Sequence, residues 1–251
     1  MKRLLAVVAH PDDESFGPGG TLAKYGHDKD IEIHLLCATR GEAGQWDETS
    51  KDIAQKSPGA GRKLNLNDVR EQELSRSAKI LGIKSVEFLG YRDGTLNNNL
   101  YHEIADKIIR KIEDFKPDIL LTTEQRGVSG HIDHIVISMT TTYAYLHTFI
   151  PKKLYYHCIP KEMRNKEMDK YFVYFPEGYD QKDITTRIDY SDVWDIKKQA
   201  MMQHQSQLSD VNRILKFSSD KPKMDYFILQ FYRGIKPKFP ETNLFSGISP
   251  R

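Results

Sequence analysis

The sequence predicts an α/β protein with a doubly wound, Rossmann-like, mainly parallel sheet and helices on both faces. Short apolar runs bounded by turn residues alternate with helical patterns at least four times within the first 160 residues. Because crossovers between parallel strands are right-handed, this alternation favours one sheet covered on both sides. The runs expected to be strands are Leu4–Ala9, Ile31–Ala38, Ser85–Leu89, Asp118–Thr123 and Lys153–Ile159.

Two helices of this core have clear signatures. Apolar residues repeat at three- and four-residue spacing from Leu100 to Phe115, and the pattern stops before Lys116-Pro117, where a helix is disfavoured. Asn67 is a suitable N-cap for a second helix from Asp68 to Leu81, which Gly82 would close.

From about residue 160 the pattern changes to a C-terminal α+β elaboration. Three short strands are expected at Phe172–Pro176, Ile184–Tyr190 and Tyr226–Tyr232, with one helix from about Val193 to Leu208. No Pro/Gly/Ser linker separates independent units. We therefore expect a single domain over 1–251, with a core at 1–160 and the elaboration at 161–251.

Composition excludes several classes of protein. Lys and Arg exceed Asp and Glu by 37 to 35 among 251 residues, and this small excess does not indicate a nucleic acid or an anionic membrane as the main partner. No run of 18 apolar residues predicts a membrane span. Only Cys37 and Cys158 are present, so a disulfide framework is excluded and the reducing cytoplasm is expected. A small-molecule substrate fits this composition, and a homo-oligomer is possible.

Polar clusters follow the first and fourth predicted strands. His10–Glu14 carries one histidine and three carboxylates, and His131–His134 carries two histidines and one carboxylate after two glycines. The carboxyl ends of parallel strands face the crevice in which ligands bind. Two histidines and one carboxylate drawn from these loops would make a three-ligand metal site that leaves positions for water, as in catalytic zinc sites.

Each cluster alone has a simpler interpretation. Acidic residues at a strand end commonly cap the next helix, and two histidines three residues apart are usually structural. The same ligand types also form the facial triad of non-haem iron oxygenases, so that class stays open. A nucleotide-binding module is disfavoured because Gly17–Gly20 lacks the Gly-x-Gly-x-x-Gly spacing.

The clusters resemble the motifs of the PIG-L/LmbE-type metal-dependent N-acetylglucosamine deacetylases. The family's Ala-His-Pro-Asp-Asp-Glu motif stands unbroken at Ala9–Glu14, and its His-x-Asp-His motif stands at His131–His134. The resemblance extends over residues 4 to 207. Its further matches are Thr39–Gly44, Arg70–Glu73, Leu89–Gly94 and Lys198–Gln207.

The resemblance implies zinc, or another divalent metal such as Fe²⁺, bound by His10, Asp13 and His134. It implies an enzyme that removes the acetyl group from an N-acetylglucosaminyl conjugate. An amidase that acts on another sugar-thiol conjugate is the alternative within the hydrolases.

The resemblance also implies roles for residues around the metal. Asp12 would be the general base, and a positively charged His131, oriented by Asp133, would be the electrophile or acid. Glu14 is expected to hold a backbone or histidine contact. Matches to substrate-contacting positions are Arg70, Asp93 and His204.

Simpler interpretations remain for two of these matches, and one segment departs from the family. Arg70 would also form a surface ion pair with Glu73, and His204 would also be an exposed helix histidine. Between Gly44 and Arg70, 25 residues replace what is usually a shorter connection. Its main part, Gln45–Asn67, is either a lid over the site or a surface insertion.

Overall fold

The predicted parallel α/β sheet is confirmed. The computed structural model describes residues 1–46, 65–164, 168, 174–234 and 236–249, and within these ranges seven strands form one sheet in the order β3-β2-β1-β4-β5-β7-β6. The strands are β1 Lys2–Val8, β2 Ile31–Thr39, β3 Ser85–Tyr91, β4 Ile119–Thr123, β5 Lys153–Cys158, β6 Thr186–Asp189 and β7 Met224–Tyr232.

The first five strands are parallel, and the last two are antiparallel to their neighbours. β1 lies between β2 and β4, so its carboxyl end is at the middle of the sheet. β7 pairs with β5 and β6 pairs with β7, both antiparallel. Residues assigned to the C-terminal elaboration thus extend the core sheet itself. The division at residue 160 stays a prediction.

Helices cover both faces of the sheet. They are α1 Asp13–Phe16, α2 Gly19–Gly26, α3 Leu66–Leu81, α4 Tyr101–Phe115, α5 Gly127–Gly130, α6 Ile132–Leu146, α7 Trp194–Met201 and α8 Leu208–Ser218. α2, α3 and α7 pack on the face that carries Leu4 and Ala6, whereas α4 and α6 pack on the face that carries Leu5 and Val7. Burial on both faces explains why the strand sequences are continuously apolar. None of the described helices is long and apolar enough to cross a membrane.

The predicted boundaries of α3 are partly correct. The helix ends at Gly82, whose φ of +80° is in the left-handed region that favours glycine. The predicted N-cap, Asn67, lies inside the helix, because α3 begins at Leu66 and Asn65 occupies the cap position. Both residues are asparagines, which cap equally well, so the pattern does not distinguish them.

The single helix predicted from Val193 to Leu208 is wrong. α7 ends at Met201, a 3₁₀ turn covers Gln205–Gln207, and α8 begins at Leu208. The amide of Ser206 donates to Glu73 Oε1 at 2.7 Å, so it takes no part in a helical ladder. The long-range contact of Ser206 with Glu73 therefore overrides the helical pattern of the local sequence.

Two other C-terminal predictions differ from the structure. β6 is shorter than the predicted Ile184–Tyr190. The strand predicted at Phe172–Pro176 is wrong for residues 174–176, and its residues 172–173 lie outside the described residues. The carbonyls of Phe175 and Pro176 accept hydrogen bonds from the Arg164 guanidinium, so they are satisfied without a neighbouring strand.

Candidate metal centre and active site

The two polar clusters meet at the carboxyl ends of β1 and β4. His10 Nδ1 lies 3.1 Å from His134 Nε2, which lies 3.2 Å from Asp13 Oδ1. Asp13 Oδ2 lies 3.8 Å from His10 Nδ1. The three residues that the sequence suggests as metal ligands are therefore brought together, although 124 positions separate His10 from His134.

Hydrogen bonds determine which ring nitrogens of His134 and His10 face the point where the three residues meet. His134 Nδ1 lies 3.0 Å from the carbonyl of Gly127, which only accepts, so Nδ1 carries the proton and Nε2 keeps its lone pair. His10 Nε2 lies 2.9 Å from Asp93 Oδ1 and 3.3 Å from Asp133 Oδ2. Nε2 therefore carries a proton towards these carboxylates, and Nδ1 is the nitrogen that would bind a metal once its own proton is displaced. Metal-binding histidines commonly donate their other N–H to a carboxylate or a carbonyl in this way.

The third donor, Asp13, is oriented by the backbone. Its Oδ2 accepts hydrogen bonds from the amides of Ala9, at 3.1 Å, and His10, at 2.9 Å, which leaves Oδ1 towards His134. Burial alone would raise the pKa of Asp13, but the charges of His134 and His10 lower it below its usual range. Asp13 is thus a carboxylate, which is the form that binds a metal.

The charges around His10 favour a cation at this point. Burial alone would lower the pKa of His10, but its hydrogen bonds to Asp133 and Asp93 and the charge of Asp13 raise it to about 10. Three carboxylates around one imidazole favour positive charge, and this donor set fits a divalent metal.

Two other donor groups are close enough to hold an ion. Donor atoms of His10, His131 and His134 lie within 4.8 Å of one another, as do those of His10, Asp93 and Asp133. The second group is already engaged, because Asp133 accepts from the amides of Gly94 and Leu96, and both carboxylates contact His10 Nε2. In the first group, His131 Nδ1 accepts from the Asp133 amide, so these hydrogen bonds favour the point between His10, His134 and Asp13.

Asp12 points away from Asp13 and contacts an arginine. Its Oδ2 lies 2.8 Å from Arg70 Nη2. Asp12 occupies the N-cap position of α1, but its side chain makes no cap hydrogen bond, so the simpler interpretation is correct for its position and wrong for its side chain. Burial raises the pKa of Asp12 and the Arg70 charge lowers it, with the balance at about 6. A carboxyl group with this pKa is ionised at neutral pH and readily accepts a proton.

Arg70 is buried beneath the turn that follows β2. Its guanidinium donates to the carbonyls of Gly41, at 3.0 Å, and Pro11, at 2.6 Å, as well as to Asp12. Gly41 has a φ of +72°, and a Cβ there would lie 2.3 Å from Arg70 Nη1. The surface ion pair with Glu73 is not formed, because Arg70 is 4% exposed and Glu73 accepts from Ser206. Arg70 thus contacts the predicted base, and its substrate contact stays a prediction.

His204 is fully buried, so the structure agrees neither with a substrate contact nor with an exposed helix histidine. Its Nε2 lies 2.8 Å from Glu14 Oε1, and its ring contacts Phe16 edge-on. An exposed helix histidine is excluded, and a side chain with 0% exposure offers no surface to a substrate. The direct substrate contact predicted for His204 is therefore wrong. The contact predicted for Glu14 is confirmed, because it accepts from both the Asp12 amide and His204.

His131 lies beside the metal ligands and is neutral. Its Nδ1 accepts from the backbone amide of Asp133 at 3.2 Å, whereas the Asp133 carboxylate contacts His10. Burial and the charges of His10 and His134 lower the pKa of His131 to about 4. The positive charge predicted for His131 is therefore wrong, and Nε2 is the ring nitrogen that carries the proton.

Asp93 is expected to tune metal binding, since its described side-chain contacts are with His10 and the Ala43 amide. Asp93→Asn should weaken metal affinity by about 10–100-fold, because the carboxylate that fixes the His10 tautomer is lost. Metal titration of the stripped protein measures this change. A higher KM with unchanged metal affinity would instead support the substrate contact that the sequence predicts.

The buried residue Ser77 and the buried role of Glu73 were missed in the sequence, where Glu73 stands only in the Arg70–Glu73 match. Ser77 donates to Glu14, and Glu73 holds the turn at Ser206. Arg70, Glu73 and Ser77 follow at i, i+3 and i+7, which places them on one helix face. This spacing could indicate a polar helix face that is buried at the site. Polar residues on a helix, however, ordinarily indicate a face exposed to solvent.

The site combines histidine and carboxylate metal donors with a carboxylate that can act as a base, and it lies where the parallel strands end. This combination is characteristic of a metal-dependent hydrolase. The chain belongs to the PIG-L family, described as GlcNAc-PI de-N-acetylase, which matches residues 5–145. This membership places the protein among the N-deacetylases.

Named relatives carry related activities. A 1D-myo-inositol 2-acetamido-2-deoxy-alpha-D-glucopyranoside deacetylase of Salinispora arenicola is 27% identical over 98% of this chain and 92% of its own length. The Bacillus anthracis protein named "Probable N-acetyl-alpha-D-glucosaminyl L-malate deacetylase 2" is 32% identical over 53% of this chain, and the match spans 54% of its length. A mycothiol S-conjugate amidase of Streptomyces coelicolor is 24% identical over 98% of this chain and 97% of that protein.

Solved structures share the fold. The N,N'-diacetylchitobiose deacetylase of Pyrococcus horikoshii aligns with a TM-score of 0.60 at 21% identity, over 99% of this chain and 87% of that one. The 4-carboxy-2-hydroxymuconate hydratase GalB of Pseudomonas putida aligns with a TM-score of 0.66 at 17% identity, over 95% and 100%. Because a hydratase also has this fold, the reaction must be argued from the site.

Proposed function

We propose that the protein hydrolyses the acetamido group of an N-acetylglucosaminyl conjugate to acetate and a free amino sugar. The observation that carries this proposal is that His134 Nε2 contacts both His10 Nδ1, at 3.1 Å, and Asp13 Oδ1, at 3.2 Å, in the turn that also carries Asp12. His10, Asp13 and His134 would hold zinc, with Fe²⁺ as another divalent ion that these donors accommodate. The bound ion would polarise the acyl oxygen and lower the pKa of water towards neutrality.

Asp12 and His131 supply the proton transfer and the hydrogen bond that this reaction needs. With a pKa of about 6, Asp12 is ionised above that pH and accepts a proton from the attacking water. The same proton is then available to the departing amine. Neutral His131 donates its Nε2–H to the carbonyl oxygen as negative charge develops there, and Asp133 orients it through the backbone amide.

The proposed substrate class rests on relatives and on charge. Two of the named relatives deacetylate glucosaminyl conjugates of inositol and malate, by their names. The small net charge of +2 supports a small-molecule substrate over nucleic acid. Two buried free cysteines support a cytoplasmic location. A homo-oligomer remains compatible with this function.

The proposal is tested by incubating metal-loaded protein with a panel of N-acetylglucosaminyl conjugates and measuring free amine. We expect amine release from at least one glucosaminyl conjugate. Amine release from the amide bond of a sugar-thiol conjugate, and from none of the N-acetyl substrates, would favour the amidase, which the Streptomyces coelicolor relative represents. Product formation that requires oxygen or a 2-oxo acid would favour the oxygenase.

The segment Gln45–Asn67 is expected to influence substrate choice. Residues 47–64 of this segment lie outside the described residues, and its first residue, Gln45, accepts a hydrogen bond from Gln207 Nε2 at 3.0 Å. Replacing the part of the segment that precedes α3, residues 46–64, with a short Gly-Ser link should preserve folding and metal content but change the preference among conjugates. Unchanged selectivity across the panel would show that the segment is not a lid.

A further inference from the structure

We infer that His204 is a positioning residue, which acts through Glu14 to hold the strained backbone of the base Asp12. This inference rests on the proposed function, because it assigns His204 a part in the placement of that base. The contacts join a turn near the C-terminus to the first polar cluster across 190 positions.

Asp12 adopts a backbone conformation that a non-glycine residue rarely takes. Its φ is 113° and its ψ is −29°. Such a conformation persists only when the surroundings hold it from several sides. The Asp12 carbonyl accepts from the amides of Ser15, at 3.0 Å, and Phe16, at 2.9 Å, while its own amide donates to Glu14 Oε2 at 2.9 Å.

Glu14 is held in turn by two buried donors. Its side chain is fully buried, and Oε1 accepts from Ser77 Oγ at 2.5 Å and from His204 Nε2 at 2.8 Å. A buried carboxylate is tolerated only when both oxygens are bonded. The donors at Oε1 therefore fix the direction in which Oε2 meets the Asp12 amide.

One face of α3 supports the whole arrangement. Arg70 holds the Asp12 carboxylate, and Ser77 holds Glu14. Glu73 fixes the turn that carries His204, because its two oxygens accept from the amide and the hydroxyl of Ser206, each at 2.7 Å. The base is thus held through its backbone by Glu14 and through its side chain by Arg70.

The side chains of the metal ligands are held by groups other than His204 and Glu14. Asp13 Oδ2 is held by the amides of Ala9 and His10, and His134 is held by the carbonyl of Gly127. Loss of the His204 donor should consequently displace Asp12 and leave the ligand set in place. An unchanged ligand set therefore distinguishes the proposed role of His204 from a general loss of structure.

The test compares two substitutions of His204 with a matched control. His204→Leu removes the donor and should lower kcat by about 100-fold, the scale of a base misplaced by about 1 Å, with KM and metal content unchanged. His204→Gln keeps an N–H donor and should restore much of kcat. The control Gln203→Ala, at the residue before His204, removes an exposed side-chain hydrogen bond to the Gln199 carbonyl without touching Glu14, Glu73 or Asp12, so it should keep kcat.

Crystal structures of the same variants test the arrangement independently of activity. In His204→Leu, the Asp12 amide should lose its contact with Glu14 Oε2 and the φ of Asp12 should shift, with the side chains of His10, Asp13 and His134 still in place. Wild-type kcat in folded, metal-replete His204→Leu, or an equal loss in Gln203→Ala, would overturn the inference. If His204→Leu does not fold, Glu14→Gln should show the same kcat loss, and wild-type kcat there would also overturn it. An inactive wild-type protein would instead refute the proposed function, while the φ of Asp12 would still test the arrangement.

Discussion

Asp12→Asn is expected to keep its bound metal and to lose turnover by about 10²–10⁴-fold, the usual contribution of a general base. The amide cannot accept the proton from water, whereas His10, Asp13 and His134 are unchanged. Metal content and the deacetylation rate of each variant, with and without added zinc, measure the effect. Asp30→Asn, at an exposed aspartate, is the matched control and should retain both the metal content and the deacetylation rate of the wild-type protein.

Asp13→Asn should show the opposite behaviour. An amide oxygen is a weaker ligand than a carboxylate, so metal binding should weaken and excess zinc should restore part of the activity. Rescue of Asp12→Asn by zinc, together with a metal-replete but inactive Asp13→Asn, would mean that the two roles are reversed. The structure supports the present assignment because Asp13 faces His134 and Asp12 faces Arg70.

His10→Ala or His134→Ala is expected to lower metal affinity by at least about 10-fold and to abolish measurable turnover at ordinary metal concentrations. Each substitution removes a ring nitrogen from the point where the donors meet. Metal content after dialysis and the dissociation constant from titration measure the loss. His147→Ala, at an exposed histidine, should retain full occupancy. Full metal occupancy in both ligand variants would refute the assignment of the site.

Much of the candidate site could be predicted because its residues follow the strands directly. The turn after β1 is short, so His10 and Asp13 must lie at the carboxyl edge of the sheet, and β4 adjoins β1 in the structure. The resemblance added the division of roles between Asp12 and Asp13. Contacts between distant segments could not be predicted in this way, because a local pattern carries no information about its partner.

His204 illustrates that limit. A histidine among glutamines has the composition of an exposed helix, yet the chain bends at this point because Glu14 and Glu73 are buried carboxylates that need donors. The charge of His131 was missed for a similar reason. Its pKa depends on burial and on His10 and His134, and only the folded structure shows how close these groups are. Likewise, β7 was expected as a strand, but its antiparallel place beside β5 depends on pairing at the sheet edge.

The most direct test of the proposed function is the release of acetate and free amine by the wild-type protein under anaerobic conditions without a 2-oxo acid. The protein would be compared as metal-loaded, chelator-stripped and zinc-reconstituted samples, with an N-acetylglucosaminyl conjugate as substrate. We predict equimolar acetate and amine from the loaded sample, none from the stripped sample, and recovery on reconstitution. Equal turnover by the stripped and loaded samples, or amine that forms only with oxygen, would contradict a metal-dependent N-deacetylase.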